Sequence, residues 1–331
     1  MSAVQGHDHV QTPASGESRM RQSSRRYALP GVGGAVVMIL LAILVPSFYR
    51  TTNLHVLMQE CATLGLVTLG QLLVLLVGGI DLSVGAVMNA TLITIAELNQ
   101  SNDHLLWASL ALCVGIGAAV GLANGLLVSL RDVPPFAATL GMTAVVQGAI
   151  LVYTKGVPAG NIPNSLRPVA LDGIGIVPYS LMICLGSAFV LAFVLRRGTF
   201  GRKIYAVGRS PRVAWRVAIT TTNVRVTAYV LCGIFASLAG IVLSAYVGYV
   251  DPEIGGNYNL ESIAAAVLGG VAFTGGEGGA VGALSGVLFL LVLLNVVTLS
   301  SLSPYTQLIV QGGVMLVAVS VFQFFKKRPA I

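Results

Sequence analysis

Few residues in this chain have the type and spacing to do chemistry. The most conspicuous is a carboxylate, Asp81, within Gly79-Ile80-Asp81-Leu82-Ser83-Val84-Gly85. Long apolar runs flank it, over 64–77 and 82–96. A charge in hydrocarbon is costly, so an acid at the junction of two membrane spans points to ion, proton or gating chemistry. Asp81 and Ser83 also suit the start of a helix, as caps in a solvated turn. Spacing alone leaves both readings open. Glu97, near the end of the second run, is the other acid that could titrate there.

Other chemistry has little to work with. The chain holds no G-x-x-x-x-G-K-[ST] loop, no H-E-x-x-H, no zinc-ligand cluster and no G-x-S-x-G elbow. Neither a catalytic residue nor a metal site is expected. His7 and His9 lie in a polar N-terminal stretch and read as incidental. The cysteines (Cys61, Cys113, Cys184, Cys232) each sit in an apolar run without a C-x-x-C pair, so they read as small buried apolar residues.

The elements that must position these groups are membrane spans. Of 331 residues, 55% are hydrophobic and 9% charged, against roughly 25% charged in a soluble domain. The expected fold is all-α, a polytopic membrane bundle of about ten transmembrane helices. Runs near the ~20 residues a span requires fall at 31–49, 54–77, 82–99, 105–130, 135–154, 177–195, 225–247, 258–273, 279–299 and 305–324. The run 258–273 is short and ends in glycines, which predicts a tilted, broken or re-entrant element. Residues 1–28 read as a disordered cytoplasmic tail before an uncleaved first helix. The transmembrane body covers 29–325 and a short cytoplasmic tail covers 326–331. The net charge of +7 clusters between spans, which speaks for orientation rather than nucleic acid. With the N-terminus inside, sixteen of the nineteen Lys and Arg fall on the cytoplasmic side, so both termini are expected there.

Two four-residue glycine ladders, Gly117/Gly121/Gly125 and Gly278/Gly282/Gly286, predict close helix packing. A second Gly-Gly break at Gly269-Gly270, followed by Gly275-Gly276, parallels Gly78-Gly79. Corresponding breaks in two halves can mark a transport site. Gln71, Asn89, Asn124, Gln147 and Asn295 lie within spans. They either line a pathway or bond between helices, the commoner use.

The loop over 196–225 carries the cytoplasmic charge. Ser210-Pro211 is a good helix start, predicting a short helix from Pro211 to about Ile219. Val213, Trp215, Val217 and Ile219 would give it an apolar surface. Arg212 and Arg216 would share a polar side, one turn apart. Such a helix suits either a partner protein or an anionic lipid surface.

Four segments in order give the chain a resemblance to a family. They are Gly79 to Gly85; Pro135-Phe136-Ala137-Ala138-Thr139-Leu140-Gly141-Met142; Gly201-Arg202 through Gly208 into the Ser210–Ile219 helix; and Leu260 to Gly270 with Gly275-Gly276-Glu277-Gly278 and Gly282. Together they resemble the permease subunits of bacterial ATP-binding cassette (ABC) importers for ribose and related monosaccharides, from about residue 31 to 324. The resemblance implies a multi-pass protein of the bacterial cytoplasmic (inner) membrane. A second permease chain, identical or a sister, would complete the pathway. A separate ABC ATPase would carry ATP and Mg and dock on Ser210, Pro211, Arg212, Ala214, Trp215 and Arg216. No cofactor would be bound by this chain. A periplasmic or lipid-anchored binding protein would deliver the sugar. Gly79, Asp81, Ser83 and Gly85 would serve gating or coupling. The third segment departs from the family, which usually has Gly-Asn, Ala-Ala and Gly-Ile where this chain has Arg209-Ser210, Ala214-Trp215 and Ala218-Ile219. The bulk of Trp215 then implies a dedicated ATPase. Outside that family, an ion-coupled carrier using Asp81 or Glu97 is the alternative.

Overall fold

The computed structural model describes residues 46–99, 103–157, 160–250 and 253–299, with scattered positions between 303 and 316. The expected tails at 1–28 and 326–331 lie outside the described residues, as do most of the spans 31–49 and 305–324.

The apolar runs form helices, because in hydrocarbon a segment must satisfy its own backbone hydrogen bonds. In chain order they are α1 (Thr51–Leu76), α2 (Val84–Asn99), α3 (Leu106–Leu130), α4 (Pro135–Thr154), α5 (Pro168–Leu171), α6 (Tyr179–Arg197), α7 (Thr199–Arg209), α8 (Pro211–Arg216), α9 (Thr221–Val247), α10 (Tyr258–Leu268) and α11 (Ala280–Leu299). Six of them, α1, α3, α4, α6, α9 and α11, are long and apolar enough to cross a membrane. A two-stranded hairpin, Gly173–Ile174 with Val177–Pro178, interrupts the linker after α5.

α1 runs through the middle of the bundle and is buried along nearly all of its length. α9 packs along α3, α1 and α2, and α11 packs against α10 and α1. α3, α4 and α6 turn apolar residues such as Leu122, Val145 and Phe189 outward. A helix apolar on all sides is what a lipid-facing position demands.

The first glycine ladder is the contact between α3 and α9. A side chain at Gly117 would strike the Gly233 carbonyl, one at Gly121 the Tyr229 carbonyl, and one at Gly125 the Val226 Cα 2.8 Å away. The second ladder is shorter than expected. Gly282 and Gly286 abut Gly269 and Ala265 at the end of α10, but Gly278 precedes α11 in a loop, at φ 134°.

Two of the expected spans give helices shorter than a span's usual ~20 residues. α2 has 16 residues. α10 has 11, about 16 Å of helix against ~30 Å of hydrocarbon, so the run 258–273 is broken. The loop at 196–225 is also more ordered than its sequence implied. Arg196 and Arg197 end α6, and α7 and α8 fill the connection. α8 stops at Arg216 rather than Ile219, because Ala218 turns left-handed at φ 59°. That is the position where the resembling family usually has glycine.

Candidate functional site

The chain between α1 and α2 is the unusual place in the bundle. α1 ends at Leu76, Gly78 turns at φ 75°, and residues 79–83 lie outside any helix before α2 begins at Val84. Non-helical backbone at membrane depth must be satisfied by its surroundings, and here it is. The Gly78 and Gly79 N–H groups donate to Leu75 O and Val74 O, both at 2.9 Å. Ile80 O accepts from the hydroxyls of Thr139 and Tyr229, each at 3.4 Å. The Gln71 amide, oriented to serve both groups, donates to Asp81 O at 3.1 Å and accepts from Asp81 N at 3.2 Å. Leu82 O accepts from Thr143 Oγ1 at 3.0 Å. Helices α1, α4 and α9 thus hold one strand of exposed peptide.

The Asp81 carboxylate closes the arrangement. Its Oδ1 accepts from Ser83 N at 2.8 Å, from Ser83 Oγ at 2.6 Å, and from Asn124 Nδ2 at 3.5 Å. Asn124 also donates to Ser83 Oγ at 2.8 Å. Asp81 is 1% exposed, and no described residue pairs with it as a cation. Asp81 reaches Asn124, which lies six residues, about 9 Å of rise, inside the end of α3. The expected capping is partly indirect: Asp81 forms a turn onto Ser83, and the Ser83 carbonyl accepts the first α2 bond from Val87 N at 3.0 Å.

α2 and α10 are joined end to end. Gly85 N, a donor left over in the first turn of α2, donates to Asn259 Oδ1 at 2.6 Å. Gly255 N donates to Asn89 Oδ1 at 2.7 Å. Gly85 has no room for a side chain, since a Cβ would enter the Gly255 carbonyl and Asn259.

Of the candidate pathway residues, Gln71, Asn89 and Asn124 are fully buried and make these bonds, while Asn89 Nδ2 and Asn124 Oδ1 have no partner among the described residues. Asn295 exchanges two hydrogen bonds with Asn53, at 2.9 and 3.1 Å, tying α11 to α1. All four make bonds between elements. Gln147 is exposed on α4, one turn beyond Thr143. Glu97 is half-buried near the far end of α2, beside Gly160. Sequence reading singled out none of Thr139, Thr143, Tyr229 and Asn259 as a site residue. The available signal was Thr139 and Thr143 one turn apart in an apolar helix.

The break also touches the loop helices. Gly276 N donates to Leu76 O at 2.9 Å, so the two glycine breaks meet. Gly208 of α7 sits on that junction, where a Cβ would strike Leu76 O and Gly276 N. Tyr205 Oη donates to Gly278 O at 2.8 Å. On α8, Ser210 accepts from Val213 N at 3.4 Å as the expected cap. Arg212, Val213, Trp215 and Arg216 are exposed, Trp215 by 73%. Ala214 is not on that surface: it is 2% exposed and packs inward with Ile204, Val207 and Val224.

A helix bundle with several apolar spans and a buried helix break held by side chains of neighbouring helices defines a multi-pass membrane protein. The chain belongs to the family described as branched-chain amino acid transport system / permease component, which matches residues 53–319. It is 38% identical over 297 residues to the ribose import permease protein RbsC of Bacillus subtilis, covering 88% of this chain and 90% of the relative. It is 35% identical to the ribose import permease protein RbsC of Escherichia coli K12, covering 86% and 90%. To the fructose import permease protein FrcC of Rhizobium meliloti it is 31% identical, covering 87% and 82%. No solved structure gives a significant match.

Proposed function

We propose that this chain is the transmembrane permease subunit of an ABC importer that moves a monosaccharide of the ribose or fructose type inward. The observation that carries the reading is the likeness to ribose permeases over nearly the full length of both chains. ATP and Mg belong to a separate ATPase, which docks on the exposed side of α8 around Arg212, Val213, Trp215 and Arg216. A second permease chain completes the pathway, and a binding protein supplies sugar at the opposite face. The end of the bundle bearing Arg131, Arg196, Arg197, α7 and α8 faces the cytoplasm, as do both termini.

In this account the Asp81 break is a coupling element. A push on α8 reaches α7, because Ala214 packs with Ile204 and Val207. From α7 it reaches both glycine breaks through Gly208 and Tyr205. The Asp81 network makes residues 79–83 a stiff strut that passes the displacement to α1, α3, α4 and α9. Asp81 works through hydrogen bonds here, not by carrying a proton. The test is affinity purification of the tagged chain from its native membranes, with the co-purifying chains identified. An ABC ATPase retained with the chain is the expected result. Purification without any ATPase would remove the importer reading and favour an ion-coupled carrier.

A further inference from the structure

α2 and α10 both begin inside the bundle, and their starts meet. The first N–H groups of a helix have no acceptor within it. Here each start borrows one from the other. Gly85 N donates to Asn259 Oδ1 at 2.6 Å, and Gly255 N, just ahead of α10, donates to Asn89 Oδ1 at 2.7 Å. Between these bonds the contact is backbone on backbone. A Cβ on Gly85 would enter the Gly255 carbonyl, and one on Gly255 the Gly85 carbonyl. Glycine on both sides leaves only the two asparagines to key one start into the other.

This clasp joins helices that are otherwise anchored apart. α2 packs on α9, α3 and α4, whereas α10 packs on α11 and α1, and the contact between α2 and α10 is narrow by comparison. The apolar residues nearby, Ile80, Leu82, Ile263 and Val267, form a small cluster separate from the main apolar clusters of the bundle. Asn89 is also only half used. Its oxygen takes the Gly255 N–H, but its Nδ2 is fully buried and has no partner among the described residues. Buried donors are nearly always bonded. One left bare in this arrangement is explained by a second arrangement in which water or another group reaches it.

Both helices have leads that allow such a change. α2 follows the strut 79–83 and the turn at Gly78, and α10 ends at Gly269-Gly270, with Gly270 at φ 90°. The two leads run to the junction where Gly276 N meets Leu76 O beneath Gly208 of α7. A displacement of the loop helices therefore arrives at α2 and α10 together, and the clasp is where the two responses meet.

We infer that the α2–α10 clasp is a gate, shut in this structure, that parts in each transport cycle. On opening, Gly85 N and Gly255 N exchange the asparagine oxygens for water, and Asn89 Nδ2 gains a partner. The inference rests on the ATP-driven importer reading for what powers the motion. Asn89 and Asn259 are positioning residues of that motion and take no part in selecting the solute.

The test is hydrogen–deuterium exchange of the unmodified chain with its co-purified ATPase in proteoliposomes, read at Gly85 and Gly255 from overlapping peptides. Three conditions are compared: no nucleotide, ATP and Mg, and ATP and Mg arrested with vanadate. Both amides are expected to exchange about tenfold faster during hydrolysis than in the slower of the two static conditions, as for a minor state raised from roughly 1% to 10%. Gly121 and Gly233, in the α3–α9 contact, are expected to stay protected throughout. Asn259→Ala removes the acceptor of Gly85 N and is expected to speed exchange there about tenfold without nucleotide. Should that variant fail to fold, the comparison on the unmodified chain decides alone. One rate in all three conditions, a response at only one of the two amides, or an equal rise at Gly121 and Gly233 each overturns the gate. So does a folded Asn259→Ala with unchanged exchange at Gly85. The importer reading fails separately, if the purified chains hydrolyse no ATP. Exchange at both amides that answers an imposed proton gradient instead would remove that reading and leave the gate standing.

Discussion

Asp81 shows how a buried acid can be structural. Its Oδ1 takes three donors, and the two from Ser83 would be stranded in a buried setting without it, while Asn124 keeps its bond to Ser83 Oγ. Asparagine keeps an oxygen there, whereas alanine removes it. Asp81→Asn is therefore expected to hold normal membrane levels and retain ATP-driven uptake. Asp81→Ala is expected to lose roughly 1–3 kcal/mol for each buried donor left bare, seen as a lower unfolding temperature of the detergent-purified chain. Loss of uptake in Asp81→Asn at normal stability would mean that the charge itself is required. At Gly85, alanine has nowhere to go, so Gly85→Ala is expected to separate α2 from α10 and abolish uptake. Gly141→Ala, with nothing within 4 Å, serves as the control and is expected to stay within about 0.5 kcal/mol. That Asp81 lies between apolar segments was legible from its flanks. Its burial was not, because its partner Asn124 stands 43 residues away and no local pattern announces it.

At the scale of elements, the glycine spacing on α3 was readable because a four-residue repeat is a helix face, and the structure lays that face on α9. The repeat Gly278/Gly282/Gly286 misled at its first member. Spacing cannot tell a helical glycine from one holding a left-handed turn ahead of the helix. α8 divides a pair that sequence reading had put together. Ala214 packs inward and Trp215 points out. Trp215→Glu is expected to cut co-purification of the ATPase at unchanged thermal stability. Ala214→Glu, which buries a charge within the chain itself, is expected to lower stability as well, and the two readouts together separate docking from packing. Equal co-purification in Trp215→Glu and the unmodified chain would leave α8 as a lipid-surface helix. α7 was missed altogether, since its 11 residues offer a mixed basic and apolar pattern that reads equally well as loop.

For the molecule as a whole, composition alone was decisive for the class, because a soluble surface cannot be built from 9% charged residues. The half-length α10 and the contact between the two glycine breaks required three dimensions, as both depend on where the chain re-enters the bundle. The orientation remains a clear prediction. Single cysteines at Arg209 and Arg131 are expected to resist an impermeant thiol reagent in intact cells, and one at Lys155 to react. Labelling at Arg209 would invert the bundle. The central claim is ATP-driven movement of a monosaccharide through this chain. Its most direct test is uptake of labelled ribose into proteoliposomes that contain the chain with its co-purified ATPase, the ATPase facing a lumen loaded with ATP and Mg, and a ribose-binding protein outside. The account predicts uptake that requires ATP hydrolysis and is indifferent to a collapsed proton gradient. Uptake that continues without ATP and follows the proton gradient would contradict it.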